Sequence, residues 1–136
     1  MTATEVVHLL DLQPHPEGGF FRECWRDPDR SDGSRGHGTA IYFLLPGGVT
    51  SHWHRVDAVE IWHHYTGAPL ELLIGLEEPV TDETILLGSE LLLGERPQGI
   101  VPAHAWQSAR SLGDWTLVGC TVSPAFRFEG FEMARD

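Results

Sequence analysis

In this 136-residue chain, two histidines two residues apart, His52 and His54, are followed by a carboxylate, Glu60, and then by Gly67. Side chains alternate between the two faces of a strand, so His52 and His54 would project together and offer two imidazoles to one centre, with Trp53 pointing away. Glu60 opens a second apolar run in which Trp62 and His64 share its face. A hairpin between the two strands would carry Glu60 toward the histidine pair. Two neutral imidazoles and one carboxylate suit divalent iron, manganese, nickel, copper or zinc. Left with open positions, such a face supports oxygen or Lewis-acid chemistry. The expected ligands are therefore His52, His54 and Glu60, and the groups placed to move a proton are Glu60 and His64. His64 has two further readings, as an additional ligand or as a core histidine bonded to a neighbouring group. Trp62, on the face of Glu60, would give an amphiphilic ring or sugar a stacking surface.

The elements that must position these groups are short. Glu5 to Leu12 carries apolar residues at helical spacing and stops before Pro14, which predicts one amphipathic helix. Strands are expected over Phe20 to Arg26, Thr39 to Leu45, Ser51 to Arg55, Val59 to Tyr65, Leu70 to Leu76, Thr84 to Leu87, Gly99 to Val101, Gln107 to Ala109 and Trp115 to Val122. Each is bounded by Gly, Pro or Asp, a rhythm that belongs to a sandwich or barrel. Asp27 to Gly38 is polar and reads as a surface loop. The leucines between Ile85 and Glu95 are cut by Gly88 and Gly94 into strand and turn. On the strand after Gly18-Gly19, Glu23 is a candidate to reach the pocket, or else an edge charge that discourages sheet-to-sheet pairing. His8, His15, His37 and His104 fall where exposed or turn positions are the default.

Length predicts a single domain over residues 1–136, with a core large enough to need no staples. Nine basic residues against 20 acidic ones give a net charge of −11, which argues against nucleic acid and anionic membrane surfaces as partners. Cys24 and Cys120 lack metal or redox spacing and fit a reduced protein in which they are small hydrophobes. With no signal-like start and no apolar run of spanning length, the expected location is the cytoplasm.

His-x-His, a glutamate, six residues and a glycine resemble the first signature of the cupins. Here Pro46 stands where that pattern has a glycine, and the step from His54 to Glu60 is one residue long. Pro102-Ala103-His104-Ala105-Trp106-Gln107 is similar to the second signature, with His104 in place of its glycine and Gln107 in place of its histidine. Further strings are His15-Pro16-Glu17-Gly18-Gly19-Phe20, His54-Arg55, Glu60-Ile61-Trp62, Val101-Pro102-Ala103, and Gly119 to Phe126. From about Glu5 to Ala134 the chain is thus similar to the small single-domain cupins of unknown function. The resemblance implies an all-β, RmlC-like double-stranded β-helix, a jelly-roll barrel with a short N-terminal helix, that forms homodimers. It places Gln107 as a weak fourth oxygen ligand or a hydrogen bonder behind the metal, and His104 at the barrel rim in reach of a ligand.

Three function classes follow. The first is a small-molecule-binding cupin with one divalent transition metal and no nucleotide cofactor, acting as an isomerase, lyase or oxygenase on a metabolite. The second is a metal-independent, sugar epimerase-like enzyme, for which Tyr42 and Tyr65 are the available phenols. The third is a non-catalytic metabolite sensor.

Overall fold

The computed structural model describes residues 1–135. One helix, α1 (Ala3–Leu10), precedes the strands β1 (Gln13–Pro14), β2 (Phe20–Arg26), β3 (Thr39–Pro46), β4 (His54–Val56), β5 (Val59–Gly67), β6 (Leu70–Gly75), β7 (Glu83–Leu87), β8 (Gln98–Val101), β9 (Trp106–Ser111), β10 (Trp115–Ser123) and β11 (Phe131–Met133). They form two antiparallel sheets, β1-β2-β3-β10-β5-β8 and β11-β4-β9-β6-β7. The all-β jelly-roll architecture with a short N-terminal helix is as the sequence implied.

The helix begins two residues earlier than its apolar spacing suggests. Thr2 and Glu5 form a capping box that satisfies two of the free amides of the first turn. It ends at Asp11, which adopts φ 55 and turns the chain left-handed. Val6 and Leu12 then pack with Leu44 and Leu117 on the outer side of the larger sheet.

Between the sheets lies the main core, in which Phe43, Trp62, Leu70, Leu72, Ile74, Leu87 and Val118 are almost wholly excluded from solvent. A smaller cluster of Val56, Ala58 and Val122, with Phe126 and Phe131, packs at one end. The polar 27–38 loop is strapped down rather than loosely attached. Arg35 pairs with Asp57 at 2.9 Å and donates to the Ala125 carbonyl, while Asp29 receives the Gly36 amide and Arg127.

Two differences from the expected elements bear on the site. The strand predicted from Ser51 is ordered as strand only from His54, so the alternation argument does not extend to His52. Strands β4 and β5, although joined by a two-residue turn, do not pair. β4 pairs with β9 and β11, and β5 pairs with β10 and β8. His54 and Glu60 thus belong to opposite sheets and face each other across the barrel interior.

Candidate functional site

A cavity of about 70 Å³ opens at the end of the barrel closed by Phe126 and Phe131. By volume it holds a handful of water molecules or the head of a small ligand. Its inner wall carries His15, Glu17, His54, Glu60 and Cys120. The rest of its lining is apolar and largely aromatic, with Phe43 of the main core and the more exposed Phe21, Phe126, Phe128 and Phe131, and Glu23 and Arg26 stand among the lining residues.

Glu17 reaches this wall because of a tight turn. The amide of Gly18 donates to the His15 carbonyl, and the amide of His15 donates to the Gly19 carbonyl. Gly18 and Gly19 have φ of +103 and +78, and a Cβ on Gly19 would come within 2.6 Å of the Leu44 carbonyl oxygen, so the turn demands glycine there. The amide of His52 then donates to the Glu17 carbonyl at 2.7 Å and locks the turn beside the start of β4.

The result is a buried ion pair, with His54 Nε2 3.0 Å from Glu17 Oε2. His54 Nδ1–H donates to the His52 carbonyl oxygen at 2.8 Å, so both ring nitrogens face acceptors and the ring carries two protons. Burial by itself would push this imidazolium down. The charge and hydrogen bond of Glu17 outweigh it, with help from Glu60 and the His52 carbonyl, and raise the His54 pKa to about 9.

Glu60 faces this cation from the other sheet. Burial pushes its carboxyl up and the charge of Glu17 adds to that, while His54, Gln107 and Cys120 pull it down; the balance lies at about 7. Gln107 Nε2 donates to Glu60 Oε1 at 2.8 Å, and Trp62 Nε1 donates to Gln107 Oε1 at 2.7 Å. The indole can only donate, which fixes the amide so that its NH₂ end faces Glu60. Cys120 sits beside Glu60, and burial together with the charges of Glu60 and Glu17 drives its thiol well above its usual range. That leaves it a poor nucleophile.

His15 has the opposite character. Its Nδ1 accepts the Glu17 amide N–H at 3.1 Å, and burial, only partly opposed by Glu17, lowers its pKa. The ring is therefore neutral with its proton on Nε2. Among the described residues that N–H has no hydrogen-bond partner, which leaves it for a ligand.

The residues picked out from the sequence are placed as follows. His54 and Glu60 line the cavity, and Glu23 lines it where Arg26 grips it. Gln107 supports Glu60 from behind. Trp62 is 1% exposed and meets Phe43 edge-on at 5.8 Å, so it is a wall of the core rather than a stacking surface. His64 Nε2 bonds the Ala68 carbonyl at 3.0 Å, and the ring is outside the cavity lining. His104, with φ 71, lies in a shallow surface groove beside Asp57 and Glu129. His52 turns outward, with Nε2 2.8 Å from the Ala134 carbonyl oxygen. Sequence reasoning missed Glu17 and His15. Their signal was the carboxylate one residue before Gly-Gly in His15-Pro16-Glu17-Gly18-Gly19, a turn that can aim short segments inward.

Residues 4–134 match the family described as Cupin superfamily (DUF985), and the chain belongs to that family. It is 38% identical to protein SO0799 from Shewanella oneidensis, covering 98% of this chain and 85% of that one with a TM-score of 0.90. A hypothetical protein from Leishmania major is 32% identical, with 98% and 88% coverage and a TM-score of 0.87. KdgF from Halomonas sp. shares the fold at 17% identity and a TM-score of 0.59, over 84% of this chain and 87% of that one. Among curated proteins none matches the chain.

Cupins often bind a metal, but the donors here do not fit one. His52 faces away, both nitrogens of His54 hold protons against acceptors, and Gln107 presents its NH₂ rather than its oxygen. Among the described residues no group of three or more His, Cys, Asp or Glu is arranged to hold a metal ion. The expected set of His52, His54, Glu60 and Gln107 is corrected on these grounds. The alternation that would have aligned the two histidines requires a strand through His52, and the chain is not a strand there.

Proposed function

We propose that the cavity binds a small carbonyl metabolite and moves a proton on it without a metal, in an isomerisation or epimerisation. The observation that carries this reading is the convergence of the buried Glu17–His54 pair, Glu60 and the neutral His15 on one cavity with a largely aromatic lining. Glu60 as carboxylate takes a proton from the carbon next to the carbonyl. The carbonyl oxygen, gaining negative charge, accepts a hydrogen bond from His15 Nε2–H, a role for which a neutral imidazole is well matched. His54 cannot donate to the substrate without leaving Glu17 or the His52 carbonyl. It acts as a fixed positive charge that stabilises both the ionised Glu60 and the developing oxyanion. Glu60 then returns the proton, either to the former carbonyl carbon while the hydroxyl proton of the enediolate passes to the former carbonyl oxygen (isomerisation), or to the original carbon after the planar enediolate has turned its other face to Glu60 (epimerisation), so no redox partner is needed. A pKa of about 7 suits a group that must take and give a proton near neutrality.

The test is hydrogen–deuterium exchange. With hydroxyacetone and its alkyl and aryl homologues in D₂O, the wild type should wash label into the carbon next to the carbonyl, as read by proton NMR, and Glu60→Gln should not. Equal exchange in both, or none in either, refutes the reading. We also propose a homodimer, since two open sheets leave edges to cover; light scattering that gives the monomer mass alone would overturn it.

A further inference from the structure

Whatever enters this cavity must meet its charges, and the charges form a closed account. Two lining residues are cationic and both are already held by carboxylates. His54 is 3.0 Å from Glu17. Arg26 is gripped by Glu23 at two points, Nε to Oε1 at 2.8 Å and Nη2 to Oε2 at 2.9 Å, and its Nη1 donates to the Phe126 carbonyl oxygen at 2.9 Å. His15 is neutral because its Nδ1 accepts a backbone amide. Glu60 has an amide partner rather than a cation. A phosphate or carboxylate group would therefore find both cations already engaged by carboxylates and would face the ionised Glu60 in a poorly solvated space, where like charges repel most strongly. His15 Nε2–H, with the hydroxyl of Thr39 on the same lining, is a neutral donor suited to a carbonyl or hydroxyl oxygen. At the mouth, Phe21, Phe126, Phe128 and Phe131 offer apolar surface to the rest of the molecule.

We propose that the ligand is an uncharged molecule with a compact carbonyl or hydroxyl head, which enters between Glu60 and His15, and an apolar group, which stays against the phenylalanine rim; anionic metabolites are refused because Glu23 holds Arg26 and Glu17 holds His54. This rests on the reading of Glu60 and His15 as the groups that face the substrate head. The pairing of Glu23 with Arg26 is then a specificity device at the mouth, distinct from the proton-moving groups inside.

Benzyl alcohol, benzoate and benzylamine are matched probes that share one apolar ring and differ in the charge of the head. Titrations followed through the Trp62 indole and Gln107 side-chain N–H resonances report occupancy of the inner cavity, because these groups form the chain that ends on Glu60. Benzyl alcohol should shift both sets of signals and bind at least about tenfold more tightly than benzoate. In Glu23→Gln, which releases the Arg26 Nε and Nη2 donors from their carboxylate, benzoate should gain about tenfold, as expected for a new charge-assisted contact. Benzoate binding as well as the alcohol, benzylamine binding better than it, none of the three binding, or no gain in Glu23→Gln would each overturn the proposal. The deuterium-exchange result is independent: exchange with benzoate also bound would remove the charge rule and leave proton transfer standing, and selective binding without exchange would do the reverse.

Discussion

Replacing Glu17 by glutamine removes one charge at nearly constant shape and exposes how the site is held. In the native protein the His54 pKa is raised from 6.5 to about 9, which at about 1.4 kcal/mol per pH unit is about 3 kcal/mol of stability carried by the protonated form. A raised folded pKa means that this contribution is complete below pH 6.5 and is lost as the pH climbs through 9. Both partners are almost fully buried, with side-chain exposures of 3% and 7%, so little solvent screening reduces the effect. In Glu17→Gln, burial acts on His54 against weaker opposition, and its pKa should fall well below the native value. At pH 7 the variant should lose about 3 kcal/mol, which for a chain of 136 residues is on the order of 10 °C in Tm. Urea denaturation across the pH range is the assay, with NMR titration of the His54 ring beside it. The gap between variant and wild type should be full at about pH 6 and shrink as the pH climbs through 9, where the native pair also loses its cation. A variant that keeps the wild-type decline in stability between 6.5 and 9, or a His54 ring that still titrates near 9, would refute the reasoning.

Glu60 follows the same sign from a different cause. Its pKa, raised from 4.5 to about 7, gives stability that is complete below 4.5 and lost as the pH rises through 7, so Glu60→Gln should be more stable than wild type at about pH 8 and lack that decline, as read from urea midpoints. Gln107→Leu strands the Trp62 N–H and deprives Glu60 of its donor. Two unsatisfied buried groups should cost about 2–4 kcal/mol in chemical denaturation, and the Glu60 pKa should rise further. His52→Ala should leave ligand binding in the cavity unchanged, because its ring bonds the Ala134 carbonyl; loss of binding by calorimetry would show that His52 does reach the ligand.

The barrel was legible because its signals are local. Turn residues bound each strand, and α1 carries its own apolar spacing and cap. The meeting of His54 with Glu60 was legible in outcome but not in cause. The expected hairpin does not exist, and the two residues face each other because the chain changes sheets between β4 and β5. Where the reading failed, it relied on alternation beyond the end of a strand. His52 looks equivalent to His54 in sequence, yet its backbone amide is spent on the Glu17 carbonyl and its own carbonyl on the His54 ring. Glu17 and His15 could not be placed by periodicity at all. Their inward position comes from a two-glycine turn whose direction depends on the approach of Leu44, a contact between segments far apart in the chain.

That same turn explains how the proposed site does without a metal. A buried acid–base centre needs a positive charge to stabilise the anion it creates, and cupins often supply one with a metal. Here the 15–19 turn brings a carboxylate into the barrel, and the carboxylate keeps an imidazolium charged where burial alone would discharge it. The pair presents a cation toward Glu60 while adding no net charge of its own, so the ionised Glu60 remains the uncompensated group. Proton transfer and refusal of anions then have one origin: the positive charge that assists Glu60 is already engaged, and a substrate can feel its field without being able to claim it as a counter-ion.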